Sequence, residues 1–153
     1  PKENRDIPPL NYERVQRLKQ QFPDLSIALN GGIKDLEAGI PHLDWADGIM
    51  LGRAAYQEPW LMSEVDAKIY GLEGAPLDRW AVAAAMGDYA DRMAATGVPI
   101  KSVTRHLMGL FNGMPGARAW RRALSTEAHK ADATGDLIKR AADLVPRPEA
   151  LAA

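Results

Sequence analysis

Two short apolar runs stand in the first third of the chain, Leu25-Ser26-Ile27-Ala28-Leu29 and Asp47-Gly48-Ile49-Met50-Leu51. Each is too short for a helix and each runs into a glycine turn, so both are predicted as buried strands. Ahead of the first, Tyr12 to Gln21 carries Val15 and Leu18 on one side, with Asn11 placed as an N-cap. Between the runs, Asp35 to Leu43 has helical spacing at Leu36, Ile40 and Leu43. Pro41 falls inside that segment and removes a backbone donor, so this helix is expected to be short or kinked. The order helix, strand, helix, strand with short connections predicts βα units on a parallel sheet, in either a doubly wound fold or a barrel.

Beyond Tyr70 the pattern changes. Gly71 to Leu77 reads as a linker by its Gly and Pro content, and no strand-like run follows it. Asp78 can cap a helix reaching about Thr96 with the stripe Val82, Met86, Tyr89, Met93, which Gly97 can end. Pro99 leads a second helix with Ile100, Val103, Leu107 and Leu110 inward and Gly113 as its stop. Pro115 opens a third with Ala117, Trp120 and Leu124 inward, and a fourth runs from Thr134 to Val145 on Leu137, Ala141 and Leu144. The expected organisation is therefore α/β over 1–70, a linker over 71–77, an all-α four-helix bundle over 78–145 and a tail over 146–153, mostly helical overall.

Composition narrows the chemistry. No apolar run approaches the roughly 18 residues of a membrane span, and no leader pattern opens the chain, so a cytoplasmic protein without a membrane partner is expected. The chain lacks cysteine, which excludes disulfides, thiolate metal sites and cysteine nucleophiles within these 153 residues. His42, His106 and His129 match no zinc spacing, and no metal site is expected; His106 and His129 are read as structural. Pro1 to Arg5 carries no initiator methionine and reads as loop, the expectation being a chain that starts inside a longer one.

The net charge is −1, but its distribution is uneven: Gly97 to Lys130 holds Lys101, Arg105, Arg118, Arg121, Arg122 and Lys130 against the single acid Glu127. Arg118, Arg121 and Arg122 fall at i, i+3, i+4, on one face of the third helix. They form either a solvated face or a contact for a polyanion, and the absence of a compensating acid favours nucleic acid. Lys101 and Arg105 can extend the patch, whereas Arg79 belongs to an acidic helix and is expected to take no part.

Two strand ends make a second candidate. Asn30-Gly31-Gly32 lets the backbone turn sharply and point N–H groups at an anion, with a helix start behind it. Gly52-Arg53 offers a guanidinium at the next strand end, suited to two hydrogen bonds to a phosphate. Either turn alone is equally a tight βα connection without a ligand; in barrels the loops after the last two strands commonly build a phosphate site.

The stretches Asn4-Arg5-Asp6-Ile7-Pro8-Pro9-Leu10, Ala28 to Ile33, Asp47 to Arg53, Ala55-Tyr56-Gln57 and Arg105 to Phe111, followed by Pro115 to Arg118, Trp120-Arg121-Arg122 and Ala128-His129-Lys130, resemble in order the signatures of the A-type tRNA-dihydrouridine synthases. The resemblance covers nearly the whole chain. It implies the last βα units of an FMN-binding (β/α)8 TIM barrel followed by a helical tRNA-binding domain, in a monomeric enzyme that reduces D-loop uridines, at positions 20 and 20a, with NADPH and FMN. It also implies that Asn30, Gly31, Gly32, Gly52 and Arg53 hold the FMN phosphate, and that Arg5, Pro8, Arg118 and Arg121 meet tRNA. The family's proton-donating cysteine has no counterpart here, so no catalytic residue is assigned and this piece alone is expected to be inactive. Two other readings explain half of these features each: an FMN barrel acting on a small molecule, and a non-enzymatic helical RNA-binding module.

Overall fold

The computed structural model describes residues 9–74 and 77–148; Arg5 and Pro8 lie outside the described residues. The chain is mostly helical with two parallel strands, and it divides into two compact units between Ala54 and Ala55.

The first unit starts with α1 (Tyr12–Gln21), whose N-terminus is capped as the sequence predicts: the Asn11 side-chain oxygen accepts the Arg14 N–H at 2.9 Å. β1 (Ala28–Asn30) and β2 (Gly48–Met50) pair in parallel, with Ala28 opposite Gly48 and Asn30 opposite Met50. Both strands are shorter than their apolar runs. Between them α2 (Leu36–Gly39) hands over to a 3-10 turn, Ile40–Asp44, with Pro41 in its first turn, which is the break that proline requires. Leu29, Ile33 and Ala46 form the buried centre, with Tyr12, Val15, Trp45, Ile49 and Leu51 packed around them. α2 approaches β2 so closely that a Cβ at Gly39 would lie 2.5 Å from the Ile49 Cδ1 atom. Leu18, Phe22, Leu25 and Met50 are exposed.

Asp47 ties the entry of both strands together. Its carboxylate accepts the Ile27 N–H at 2.7 Å and pairs with Lys19 Nζ at 2.9 Å, while Lys19 also donates to the carbonyls of Pro23 and Leu25. These bonds, that from Ile27 first, hold the Asp47 carboxyl below its ordinary value of 3.8. A depressed folded-state value contributes stability above the ordinary value, which is lost as pH falls through the folded one. Acid titration below about pH 4 should therefore loosen this unit. The Asp47→Asn variant should show a flatter dependence of the urea midpoint on pH over that range, and identical pH profiles would contradict the assignment.

The second unit contains a 3-10 turn (Pro59–Glu64), α4 (Val65–Tyr70), α5 (Arg79–Ala95), α6 (Ile100–Thr104), α7 (Ala117–Glu127) and α8 (Asp136–Asp143). The preceding helix α3 (Arg53–Gln57) spans the division between the units. The boundary thus falls before α4 rather than in the 71–77 segment, because residues 57 and 59 seat against the helical core: a Cβ at Gly109 would lie 2.1 Å from the Gln57 carbonyl oxygen and 2.9 Å from Pro59. Gly71 ends α4 in the left-handed conformation.

Asp78 caps α5 as expected, accepting the Trp80 N–H. The face that packs is wider than the expected stripe, for Val82 and Met86 meet the core but small residues beside them are the ones fully buried. Ala83, Gly87 and Ala90 are buried, whereas Tyr89 of the expected stripe is exposed. α8 lies against this small-residue face, and any Cβ at Gly135 would fall 2.0 Å from the Gly87 carbonyl oxygen. Asp91 accepts the Gly135 N–H at 2.6 Å, and Lys139 pairs with Asp88 at 2.6 Å. On α8, Leu137, Ile138, Ala141 and Ala142 are buried while Leu144 is exposed. The second expected helix is also shorter: α6 stops at Thr104 and residues 105–116 form successive turns. Trp80, Phe111 and Trp120 stack edge to face through the centre, with centroid distances of 5.2 and 4.9 Å.

Candidate functional site

Parallel pairing brings the two predicted glycine turns to the same end of the first unit. Asn30 and Met50 are register partners, so Asn30-Gly31-Gly32 and Gly52-Arg53 leave the sheet side by side. Gly31 and Gly32 have φ of 116° and 70°, a region that L side chains rarely enter. A Cβ at Gly32 would lie 2.5 Å from Leu10 and 2.9 Å from the Tyr12 hydroxyl, and that hydroxyl donates to the Gly31 carbonyl. Asn30, Gly32, Gly52 and Arg53 are exposed, and Gly31 is half-buried. The donor set, a glycine turn plus an exposed guanidinium, fits a phosphate.

The helix dipole invoked from sequence contributes little. α2 has four residues and α3 five, and the Asp35 carboxylate already caps α2 by accepting the Ala38 N–H at 2.7 Å. An anion here would rest on the glycine-turn N–H groups and on Arg53.

In the second unit α7 buries Ala117, Trp120, Ala123 and Leu124, which turns Arg118, Arg121 and Arg122 to solvent. Among the described residues none of these three guanidiniums meets a carboxylate. Arg121 donates to Asn112 Oδ1 at 2.9 Å, and Asn112 Nδ2 donates to the Gln57 carbonyl at 2.9 Å. Asn112 is thus a hub that the sequence did not single out. Arg79, expected to stand aside, donates to the carbonyls of Leu110 and Asn112 at 2.9 and 3.2 Å and lies over the Trp60 ring at 4.7 Å. Its partial burial pushes the guanidinium below its ordinary value, with Glu58 opposing that shift. Arg79 therefore fixes the loop that orients Arg121.

Arg105 and Arg121 line one cleft of about 280 Å³, together with Tyr56, His106, Met108 and Asn112. His106 is exposed, accepts from Arg105 Nε at 2.9 Å and meets the Tyr56 ring edge to face at 5.6 Å. A second cleft of about 280 Å³ lies beside it, lined by Lys101, Arg105, Ser125 and His129. Arg105 lines both clefts and so links Lys101 on one side to Arg121 of α7 on the other.

Among the described residues no helix is long and apolar enough to cross a membrane, and no three acidic or histidine side chains converge as a metal site. Comparison with known proteins then fixes the class of the chain. Residues 1–145 match the dihydrouridine synthase (Dus) family, and the chain belongs to it. It is 48% identical over 145 residues to the tRNA-dihydrouridine(20/20a) synthase of Salmonella typhi, covering 95% of this chain and 44% of that protein. The proteins of the same name from Escherichia coli K12 and Vibrio cholerae are 49% and 47% identical, with 95% and 97% of this chain covered. The chain spans less than half the length of these curated relatives.

Proposed function

We infer that this chain forms the C-terminal half of an FMN-dependent tRNA-dihydrouridine synthase, a cytoplasmic monomer that reduces uridines 20 and 20a of the tRNA D-loop with NADPH as reductant. The observation that carries the reading is the match over nearly the whole chain to relatives named for that reaction. In this reading α1 to α3 belong to the end of a (β/α)8 barrel. Supporting it, a two-stranded parallel sheet is ordinarily covered on both faces and continued at its edges, and here Leu18, Phe22, Leu25 and Met50 are exposed. The helices from α5 to α8 form the bundle that holds tRNA.

When bound, FMN supplies the hydride that saturates the uracil ring. The residues of this chain bind and orient. Asn30, Gly31 and Gly32 present backbone donors to the FMN phosphate, and Arg53 adds a charge-assisted pair. Arg118 and Arg121 hold tRNA phosphates or base edges, and Arg5 and Pro8, which lie outside the described residues, extend that contact. The chain has no cysteine, so a proton donor of that kind must come from another part of the protein.

The test uses the full-length protein and unmodified tRNA transcript with NADPH, reading dihydrouridine by mass spectrometry and flavin content by absorbance. The parent should carry flavin and modify the D-loop. Arg53→Ala should lower the flavin-to-protein ratio severalfold while leaving tRNA affinity unchanged. A full-length protein that neither holds flavin nor modifies the transcript would overturn the reading.

A further inference from the structure

The cleft between Tyr56, Arg105, His106, Met108, Asn112 and Arg121 has the chemistry of a nucleotide subsite rather than of a packing defect. Tyr56 is 59% exposed although it stands at the rim of a formed cleft, and its ring is braced edge-on by His106. Met108, half-buried, supplies an apolar floor, so a flat ring entering here meets aromatic and thioether surface. At the rim two guanidiniums come from different segments, Arg105 from the turn after α6 and Arg121 from α7, held by His106 and Asn112 rather than by a carboxylate. Among the described residues no carboxylate lines this cleft; Glu58 and Glu64 line another, which shares Gly109 and Asn112 with it. The volume, about 280 Å³, falls just below the ~300–1,000 Å³ of pockets that enclose a drug-sized ligand, which suits one base with its phosphate.

We propose that this cleft takes a single unstacked nucleotide of the bound RNA, its base against Tyr56 and His106 and its phosphate on Arg105 and Arg121. Aromatic side chains beside a basic track are how proteins hold unpaired nucleotides, since every base has a face to stack and every linkage a charge. Asn112 acts as a positioning residue: one amide fixes Arg121 and the Gln57 carbonyl, one residue from Tyr56, so the two sides of the cleft are set relative to each other before RNA arrives. The proposal rests on the tRNA reading above.

The test is tRNA affinity of the full-length protein across a salt series, for Tyr56→Ala, Tyr56→Phe and Arg105→Gln, with Arg118→Ala alongside. Tyr56→Ala should weaken binding about 5- to 100-fold with an unchanged salt slope, as loss of one stacked base predicts. Tyr56→Phe keeps the ring and should bind within about twofold of the parent. Arg105→Gln should weaken binding and reduce the salt slope by about 0.9, one phosphate contact. Tyr56→Ala binding as tightly as the parent while Arg118→Ala is weakened would overturn the subsite and leave the tRNA reading intact. Equal loss in Tyr56→Phe and Tyr56→Ala would overturn stacking in favour of the hydroxyl. A parent that binds no tRNA would instead remove the reading on which the subsite stands.

Discussion

Replacing Trp120 by alanine should remove about 3–5 kcal/mol of stability from the helical unit through lost burial and the cavity it leaves. The ring is fully buried, meets Phe111 edge to face at 4.9 Å, and donates through Nε1 to the Leu107 carbonyl at 3.0 Å. Truncation also removes that hydrogen bond, a second loss of about 0.5–1.5 kcal/mol, since the Leu107 carbonyl keeps the Leu110 N–H at 3.0 Å. Trp120→Phe separates the two in large part, because it keeps a six-membered ring in the core and deletes the indole donor with only the smaller part of the ring system. Its cost should stay near the smaller figure. Against a typical total of about 5–15 kcal/mol, the alanine variant should be close to unfolding, and urea titration followed by circular dichroism reads the difference. A loss below about 1 kcal/mol for Trp120→Ala would show that the core is not organised around this ring. The prediction bears on function because Trp120 sits in sequence between Arg118 and Arg121, and its burial is what turns both outward.

What could be read along the chain follows from locality. The cap at Asn11, the ends of α1, the short apolar run of each strand and the Asn30-Gly31-Gly32 turn each depend on residues within a few positions of one another. The break at Pro41 did too. The extent of the second helix was misjudged for the opposite reason. The spacing Ile100, Val103, Leu107, Leu110 is helical, yet the Leu107 carbonyl is taken by Trp120 and those of Leu110 and Asn112 by Arg79. The Leu107 carbonyl keeps a local turn bond from the Leu110 N–H, but the further donors to these carbonyls come from 13 and 31 residues away, and nothing in the segment itself announces them. The packing face of α5 was legible only in part, with Val82 and Met86 meeting the core as expected. Hydropathy favours Val82, Met86 and Met93, but close approach of two helices selects Ala83 and Gly87, where the absence of a side chain lets Gly135 in. The two glycine turns at the strand ends were legible because both carry local glycine signals. The cleft was not, since Tyr56 and Asn112 stand far apart in sequence and are joined through one amide.

Removing Arg118 or Arg121 should each weaken tRNA binding by the full-length protein by about 1–3 kcal/mol, and lower the salt slope by about 1 for each phosphate released. The two should not behave alike. Arg121 is already held by Asn112 Oδ1 at 2.9 Å, so little freedom remains to be lost when a phosphate arrives, whereas Arg118 is exposed without such a tether in the described structure. Asn112→Ala should accordingly reproduce part of the Arg121→Ala loss while leaving the salt slope at the parental value, because the charge remains and only its aim is lost. The double variant Arg118→Ala, Arg121→Ala should approach the sum, about 2–6 kcal/mol, if the two side chains serve separate phosphates. Arg79 is unsuitable as a bystander, since its guanidinium braces the loop that carries Asn112. Arg92 serves instead: it is exposed on α5, over Tyr89 at 5.9 Å and one residue from Asp91. Filter binding from low to near-physiological salt reads the five variants beside the parent. If Arg92→Ala lost as much affinity and slope as Arg118→Ala, tRNA would be sensing overall charge, and the α7 face would have no special part in holding it.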